Sequence, residues 1–230
     1  MYKTVEALDR EKHAKSRLPG ETASFAFAAK IHSVPLLSVE FAETARCYPI
    51  LFAEDAQKTI YPIALLGLRT DENLFVTGKT WDPQQYIPAF IRRYPFITND
   101  DGVVAIDTDY VGTKGTGEAF FDAEGKNSPA LENALKFLTE FQIEVGRTRA
   151  LMAKLAKYDL LQDWDIQAVA PNGEGFKFQG LKIVNEKKLM EMKQEEVFDL
   201  FPTAELFWIS AHLVSLGNVA RLLMRVAPAN

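Results

Sequence analysis

Cysteine and histidine are scarce in this chain of 230 residues, which has one cysteine and three histidines. A single cysteine, Cys47, cannot form a disulfide within the chain, so we expect a reducing compartment and a cytoplasmic location. No stretch approaches ~18 uninterrupted apolar residues, and residues 1–15 lack the apolar run of a secretory signal. The sequence therefore predicts a soluble protein without membrane insertion, with export through an uncleaved signal left open.

An excess of positive charge is also missing. Lys and Arg total 26, Asp and Glu total 31, and the net charge is −5. Binding of nucleic acid through its phosphates therefore has no evident basic surface. The chain is 47% hydrophobic and 11% aromatic, which is typical of globular proteins. A chain of this length buries roughly 70% of its unfolded surface. We expect a folded protein without a cofactor and without a nucleic-acid partner.

The first half of the chain shows short strand-length runs broken by proline and charge. Strands are predicted over 48–53, 61–68 and 73–76, with a hairpin turn at 69–72 between the last two. An aromatic segment over 86–93 has helical spacing and is predicted to form a short helix. These elements indicate an antiparallel or mixed sheet with short helices.

The second half shows a helical pattern that begins sharply. Ser128 followed by proline is typical of a helix N-cap, and an apolar stripe predicts a long helix from there to about Leu161. A Pro-Asn-Gly turn predicts a hairpin between strands at 165–169 and 176–184. The last helix is predicted over 202–226 and is apolar enough to be largely buried.

Strands and helices are thus segregated along the chain, which favours an α+β fold over a parallel βαβ array. We predict a single domain over residues 1–230. A subdivision into a strand-rich half, 1–127, and a helical half with a hairpin, 128–230, is left open.

The segment densest in aromatic residues is predicted to bind a ligand. Adjacent arginines among aromatic rings can grip an anionic group or stack on the ring faces. The alternative is that one arginine pairs with Asp107 or Asp109 while the other is solvated. The predicted ligand-binding residues are Trp81, Tyr86, Phe90, Arg92, Arg93, Tyr94 and Asn218.

His212 is the strongest catalytic candidate, because a half-buried imidazole can exchange a proton near neutral pH. Asp107 and Asp109 are weaker candidates for the same site. The alternative for His212 is a hydrogen-bonded core histidine.

Metal binding has little support in the sequence. No histidine has a partner at helical metal-ligand spacing. A near-match to a calcium loop places Asp107, Asp109 and Glu118 at its first, third and twelfth positions, but Val111 stands where an oxygen ligand is needed. We predict no metal site, with this loop as a weak alternative.

Several segments together resemble one protein family. They include the sequences YPI at 48–50, YPIALLGL at 61–68, ENLFV at 72–76, YIPAFIRRYPF at 86–96 and AHLVSLGN at 211–218, with Trp81 and residues 180–188. On these segments the chain is similar to the SapC family of bacterial proteins, named for a surface-layer-associated protein. The resemblance covers residues from about 34 to 223. The transporter permease of the same name is unrelated.

The resemblance implies an accessory role connected with surface layers. Such proteins are also associated with genes for outer-membrane receptors and flavin-dependent halogenases, which implies an accessory role in uptake or modification. It supplies no catalytic residue. The leading hypothesis is a soluble accessory protein that binds a protein or peptide partner, since recognisable catalytic triads are missing. The alternatives are an enzyme with an unrecognised pocket built from Arg92, Arg93, Asp107 or Asp109, and His212, and a surface-layer component. The oligomeric state is left open.

Overall fold

The computed structural model describes residues 1–18, 20, 24–99, 101–111 and 117–226. The strands are β1 (Val5–Ala7), β2 (Ser33–Pro35), β3 (Ile50–Glu54), β4 (Ile60–Leu65), β5 (Val76–Thr77), β6 (Thr80–Trp81), β7 (Phe96–Thr98), β8 (Val104–Asp107), β9 (Leu161–Asp163), β10 (Ile166–Val169), β11 (Gly175–Phe178) and β12 (Leu181–Val184). The helices are α1 (Phe41–Thr44), α2 (Ala89–Arg92), α3 (Pro129–Lys157), α4 (Glu186–Met190), α5 (Gln194–Leu200), α6 (Glu205–Ser215) and α7 (Asn218–Met224). The fold is α+β, as predicted.

A five-stranded antiparallel sheet in the order β2-β4-β3-β12-β9 forms the centre of the fold. β12 pairs with β3 through Leu181 opposite Ala53, so residues from both sides of position 127 build one sheet. The subdivision at that position stays a prediction. A separate three-stranded sheet has the order β1-β8-β7.

The predicted hairpin at the Pro-Asn-Gly turn is confirmed, since β10 pairs with β11, but one predicted strand pairing and the extent of one predicted strand are wrong. The strand over 61–68 does not pair with 73–76, because β4 lies between β2 and β3 and is occupied on both edges. The predicted strand over 176–184 is two strands in different sheets. Gly180 separates them with a φ of +70°, a left-handed conformation that glycine adopts at little cost.

The long helix α3 begins where the sequence predicts. The Ser128 hydroxyl accepts a hydrogen bond from the third helical N–H, and proline occupies the first helical position. The helix is about 44 Å long. Leu131 and Leu138 pack in the cluster of the three-stranded sheet, and Leu151 and Leu155 pack in the cluster of the five-stranded sheet. This one helix therefore supports both cores.

The predicted helix over 202–226 is divided into α6 and α7 by a turn at Leu216 and Gly217. It also begins later than predicted, after Ala204, whose φ is +68°. By length and composition, Glu205–Met224 could cross a membrane, and 39% of its most apolar stretch is buried. Core helices of globular proteins share these properties, and this stretch hydrogen-bonds to the five-stranded sheet through His212.

Candidate functional site: an apolar groove beside two stacked arginines

Helix α2 carries the two candidate arginines and is held in place by a buried carboxylate. The helical pattern at 86–93 forms only Ala89–Arg92, since Pro88 at the N-cap excludes helix before it. Glu40 Oε1 accepts the Ala89 N–H at 2.6 Å and the Tyr86 hydroxyl at 2.8 Å. Burial raises the pKa of the Glu40 carboxyl, and these hydrogen bonds oppose that rise. Glu40 therefore fixes both the start of α2 and the ring of Tyr86.

Both arginines stack on aromatic rings, as one of the two predicted roles requires. The Arg93 guanidinium carbon lies 4.3 Å from the Phe90 ring centroid and 4.7 Å from that of Phe141. The Arg92 guanidinium carbon lies 5.6 Å from the Tyr86 centroid and 5.1 Å from that of Phe137. Each cation thus contacts one ring near α2 and one ring of α3.

Among the described residues no arginine forms an ion pair with Asp107, whose carboxylate is instead bound by other groups. Asp107 accepts the Lys3 N–H at 3.0 Å and the Tyr94 hydroxyl at 2.9 Å. Burial raises the pKa of the Asp107 carboxyl, but these bonds outweigh it and hold that pKa below its ordinary value. Tyr94 therefore has a structural role, joining the segment after α2 to the end of β8.

A concave surface of about 480 Å³ lies next to Arg93, between α2, α3 and the start of β4. We call it the main groove. Its apolar walls include Leu37, Ile60, Phe90, Phe141, Val145 and Met152. Thr148 also lines it, but its hydroxyl is engaged by the Ser38 N–H at 2.8 Å. Arg93 and Arg149 supply positive charge at its edge. The main groove is therefore apolar with a cationic side, as ligand sites often are.

A second concavity of about 390 Å³ shares Arg93 with the main groove, and we call it the side cavity. It is lined by Leu18, Arg92, Tyr94, Ala134 and Phe137, together with Arg93. Arg93 therefore borders both concavities, and Arg92 borders the side cavity.

Two predicted ligand-binding residues lie in the interior instead of at this site. Trp81 is 3% exposed, and its indole N–H donates to the Tyr48 hydroxyl at 3.2 Å. Asn218 is also 3% exposed, and its amide donates to the carbonyls of Ala45 at 2.7 Å and Tyr48 at 3.1 Å. Both side chains are committed to internal hydrogen bonds, so the proposals below do not use them.

His212 is a fully buried ring between two strands of the five-stranded sheet. Its Nε2 accepts the Val184 N–H at 3.0 Å, and its Nδ1 donates to the Ile50 carbonyl at 2.9 Å. Burial lowers the pKa of this imidazole to about 4. The ring is therefore neutral and joins β12 to β3, and its described contacts do not include Arg92, Arg93 or Asp107.

The residues of the calcium-loop pattern do not converge in the part that is described. Asp107 is buried and hydrogen-bonded, whereas Asp109 and Glu118 are exposed. Residues 112–116 of that pattern lie outside the described residues. Among the described residues, no group of three or more His, Cys, Asp and Glu is placed to hold a metal ion.

Sequence reasoning missed the contribution of α3 to the site. Phe137 and Phe141 are four residues apart and share one helix face, which is a detectable signal for a paired aromatic surface. Their proximity to Arg92 and Arg93 depends on how α3 packs against α2, which no local pattern contains.

The fold and this surface define an α+β protein with an arginine-flanked apolar groove. Comparison with known families agrees with the sequence resemblance: a family model described as SapC matches residues 8–222. The chain belongs to the SapC family. No curated protein and no solved structure gives a significant match to it.

Proposed function

We propose that this SapC-family protein is a soluble, cytoplasmic accessory protein that binds an apolar segment of a protein or peptide partner in the main groove. The observation that carries the proposal is the groove itself, where apolar side chains from α2, α3 and β4 remain accessible beside a cationic edge. A peptide gains affinity there by burying its own apolar side chains. The link to surface-layer or outer-membrane processes follows from the family name and is part of the proposal.

The enzyme hypothesis required the arginines, Asp107 or Asp109, and His212 to share one pocket. The described contacts instead distribute these groups over the stack on α2, the end of β8 and the interior of the five-stranded sheet. The groove therefore supports binding better than it supports this catalytic set. No specific observation favours the role of a surface-layer component.

The test is a groove-filling variant with a matched control on the same helix. Val145 lines the groove, and Val145→Trp would occupy much of its volume. Ala150 is exposed on α3 and does not line the groove, so Ala150→Trp adds the same side chain elsewhere. Peptides are selected on the native protein from a displayed random library, and their affinities are measured by isothermal titration calorimetry.

We expect Val145→Trp to weaken the selected peptides at least about tenfold, whereas Ala150→Trp binds them normally. Circular dichroism confirms that both variants are folded. Equal affinities for the two folded variants, or a selection that enriches no peptide, would refute the proposed function.

A further inference from the structure

The cationic edge of the groove lacks a carboxylate partner. Arg46, Arg69, Arg147 and Arg225 all have a carboxylate within ion-pair distance. Within the described ranges, none of Arg92, Arg93 and Arg149 has a carboxylate within ion-pair distance. Arg93 and Arg149 line the main groove, and Arg92 and Arg93 line the side cavity, so their charge faces these two concavities.

The carboxylates closest to the stack are bound by other groups. Glu40 accepts hydrogen bonds from Tyr86 and Ala89, and its other oxygen accepts the Leu37 N–H at 3.0 Å. Asp107 accepts bonds from Tyr94 and from backbone N–H groups. Each carboxylate therefore accepts hydrogen bonds from a tyrosine and from backbone N–H groups around the stack, and neither forms an ion pair with Arg92 or Arg93, although Glu40 interacts with Arg92 electrostatically.

Asp55 is the carboxylate that lines the main groove. Its Oδ1 accepts the N–H groups of Gln57 and Thr59, so it closes its own turn. It comes from the turn between β3 and β4, whereas Arg93 comes from the end of α2. The groove thus has an acidic group on the sheet turn and cationic groups on the helices.

The arrangement of the two concavities indicates where a ligand's charge would lie. Arg93 lines both the main groove and the side cavity, and Arg92 lines the side cavity. A chain that places one apolar side chain in each concavity would pass close to Arg93, which lines both. An acidic side chain at that point would meet a guanidinium pair already oriented by the four rings.

We propose that the peptide partner carries an aspartate or glutamate between two apolar residues, and that Arg93 and Arg92 bind this internal carboxylate. The inference rests on the proposed function, since it specifies the peptide that the main groove receives. A side chain fits better than a chain terminus, because Arg93 borders two concavities with apolar lining residues and an internal residue allows the peptide to occupy both.

Three synthetic peptide pools test this inference by fluorescence polarisation. The first has both termini blocked, a fixed central glutamate and randomised apolar flanks. The second pool is the same except that its central residue is glutamine, and the third pool has this glutamine together with a free C-terminal carboxylate.

The proteins compared are the native chain, Arg93→Gln, Arg92→Gln and the groove-filling Val145→Trp. Arg46→Gln is the control, because it removes an equal charge near the end of α1. Circular dichroism checks folding, and Arg92, being exposed, provides the variant that least disturbs the packing.

We expect the glutamate pool to bind the native chain about tenfold more tightly than the glutamine pool. Arg93→Gln or Arg92→Gln should remove most of that preference, and Arg46→Gln should preserve it. Binding that depends on an open groove but does not distinguish glutamate from glutamine would overturn the inference and leave the proposed function standing. A preference for the free C-terminus would overturn it as well. If Val145→Trp instead binds every pool as tightly as the native chain does, that result would count against the proposed function itself.

Discussion

The Glu40 carboxylate accepts a hydrogen bond from the Tyr86 hydroxyl at 2.8 Å, although the two residues are 46 positions apart. The same Glu40 oxygen accepts the Ala89 N–H at the start of α2. Arg92 in turn donates to the Tyr86 hydroxyl at 3.0 Å. One buried acid therefore orders the aromatic ring, the helix start and, through that ring, one of the two stacked arginines.

We predict that Glu40→Gln destabilises the protein by about 1–3 kcal/mol, because an amide nitrogen cannot accept the bonds that a carboxylate oxygen accepts. Urea denaturation followed by circular dichroism measures the change in free energy of unfolding. Glu43→Gln, at an exposed surface pair with Arg46, is the control and should change stability by less than about 0.5 kcal/mol. Equal effects of the two substitutions would contradict the assigned role of Glu40.

His212 predicts a loss of stability in mild acid. Its pKa is about 4 in the folded protein and about 6.5 in an unfolded chain, so the unfolded state binds more protons between these values. The neutral ring's contribution is thus present above the unfolded pKa and declines as pH falls toward the folded pKa. The loss should be about 2 kcal/mol between pH 7 and pH 5.

The measurement is the free energy of unfolding of native protein, His212→Gln and His32→Gln across that pH range. His32→Gln is the comparison, because His32 is an exposed histidine on the surface. His212→Gln should flatten the dependence whatever its effect on absolute stability. A native slope retained in His212→Gln would show that other groups cause it.

The buried acid Glu205 pairs with Lys154, whose Nζ lies 3.1 Å from the carboxylate. Glu205 is 2% exposed, so removing its partner leaves a charge in the interior. We predict that Lys154→Met costs about 3 kcal/mol of unfolding free energy, and that adding Glu205→Gln recovers part of this loss. A double variant that is less stable by the full sum of the single changes would contradict the pairing.

Asn218 gives a prediction that separates a structural role from a binding role. Asn218→Ala leaves the carbonyls of Ala45 and Tyr48 without their amide donor, so we expect a loss of about 2 kcal/mol. Affinity for the peptides selected on the native protein should be unchanged while the variant is folded. Weaker peptide binding by a variant whose circular dichroism spectrum matches that of the native protein would support Asn218 as a ligand-binding residue.

Local chemistry in the sequence predicts the elements that depend on neighbouring residues. Ser128 with Pro129 marks the start of α3, where the Ser128 hydroxyl accepts the Leu131 N–H. Strand pairing is a different case, because the place of β12 beside β3 is decided by burial across more than a hundred residues. No turn signal or periodicity encodes that choice.

The candidate site likewise has a part that the sequence predicts and a part that depends on long-range packing. The stacking of Arg92 and Arg93 on Tyr86 and Phe90 is local and could be predicted from the sequence. The rings that complete the stack come from α3, and the main groove exists only where α3 meets α2. Trp81 is the opposite case, since a large aromatic residue suggests ligand contact, whereas this one is buried and its N–H has an internal acceptor.

The position of β12 has a consequence for synthesis of the protein on the ribosome. β3 and β4 emerge early, but the strand that covers the other edge of β3 comes more than 120 residues later. Until then the nascent chain carries an open, apolar strand edge, which is the kind of surface that pairs with other chains. Completion of the central sheet must therefore wait until β12 has been synthesised, and pairing over so long a sequence separation slows folding.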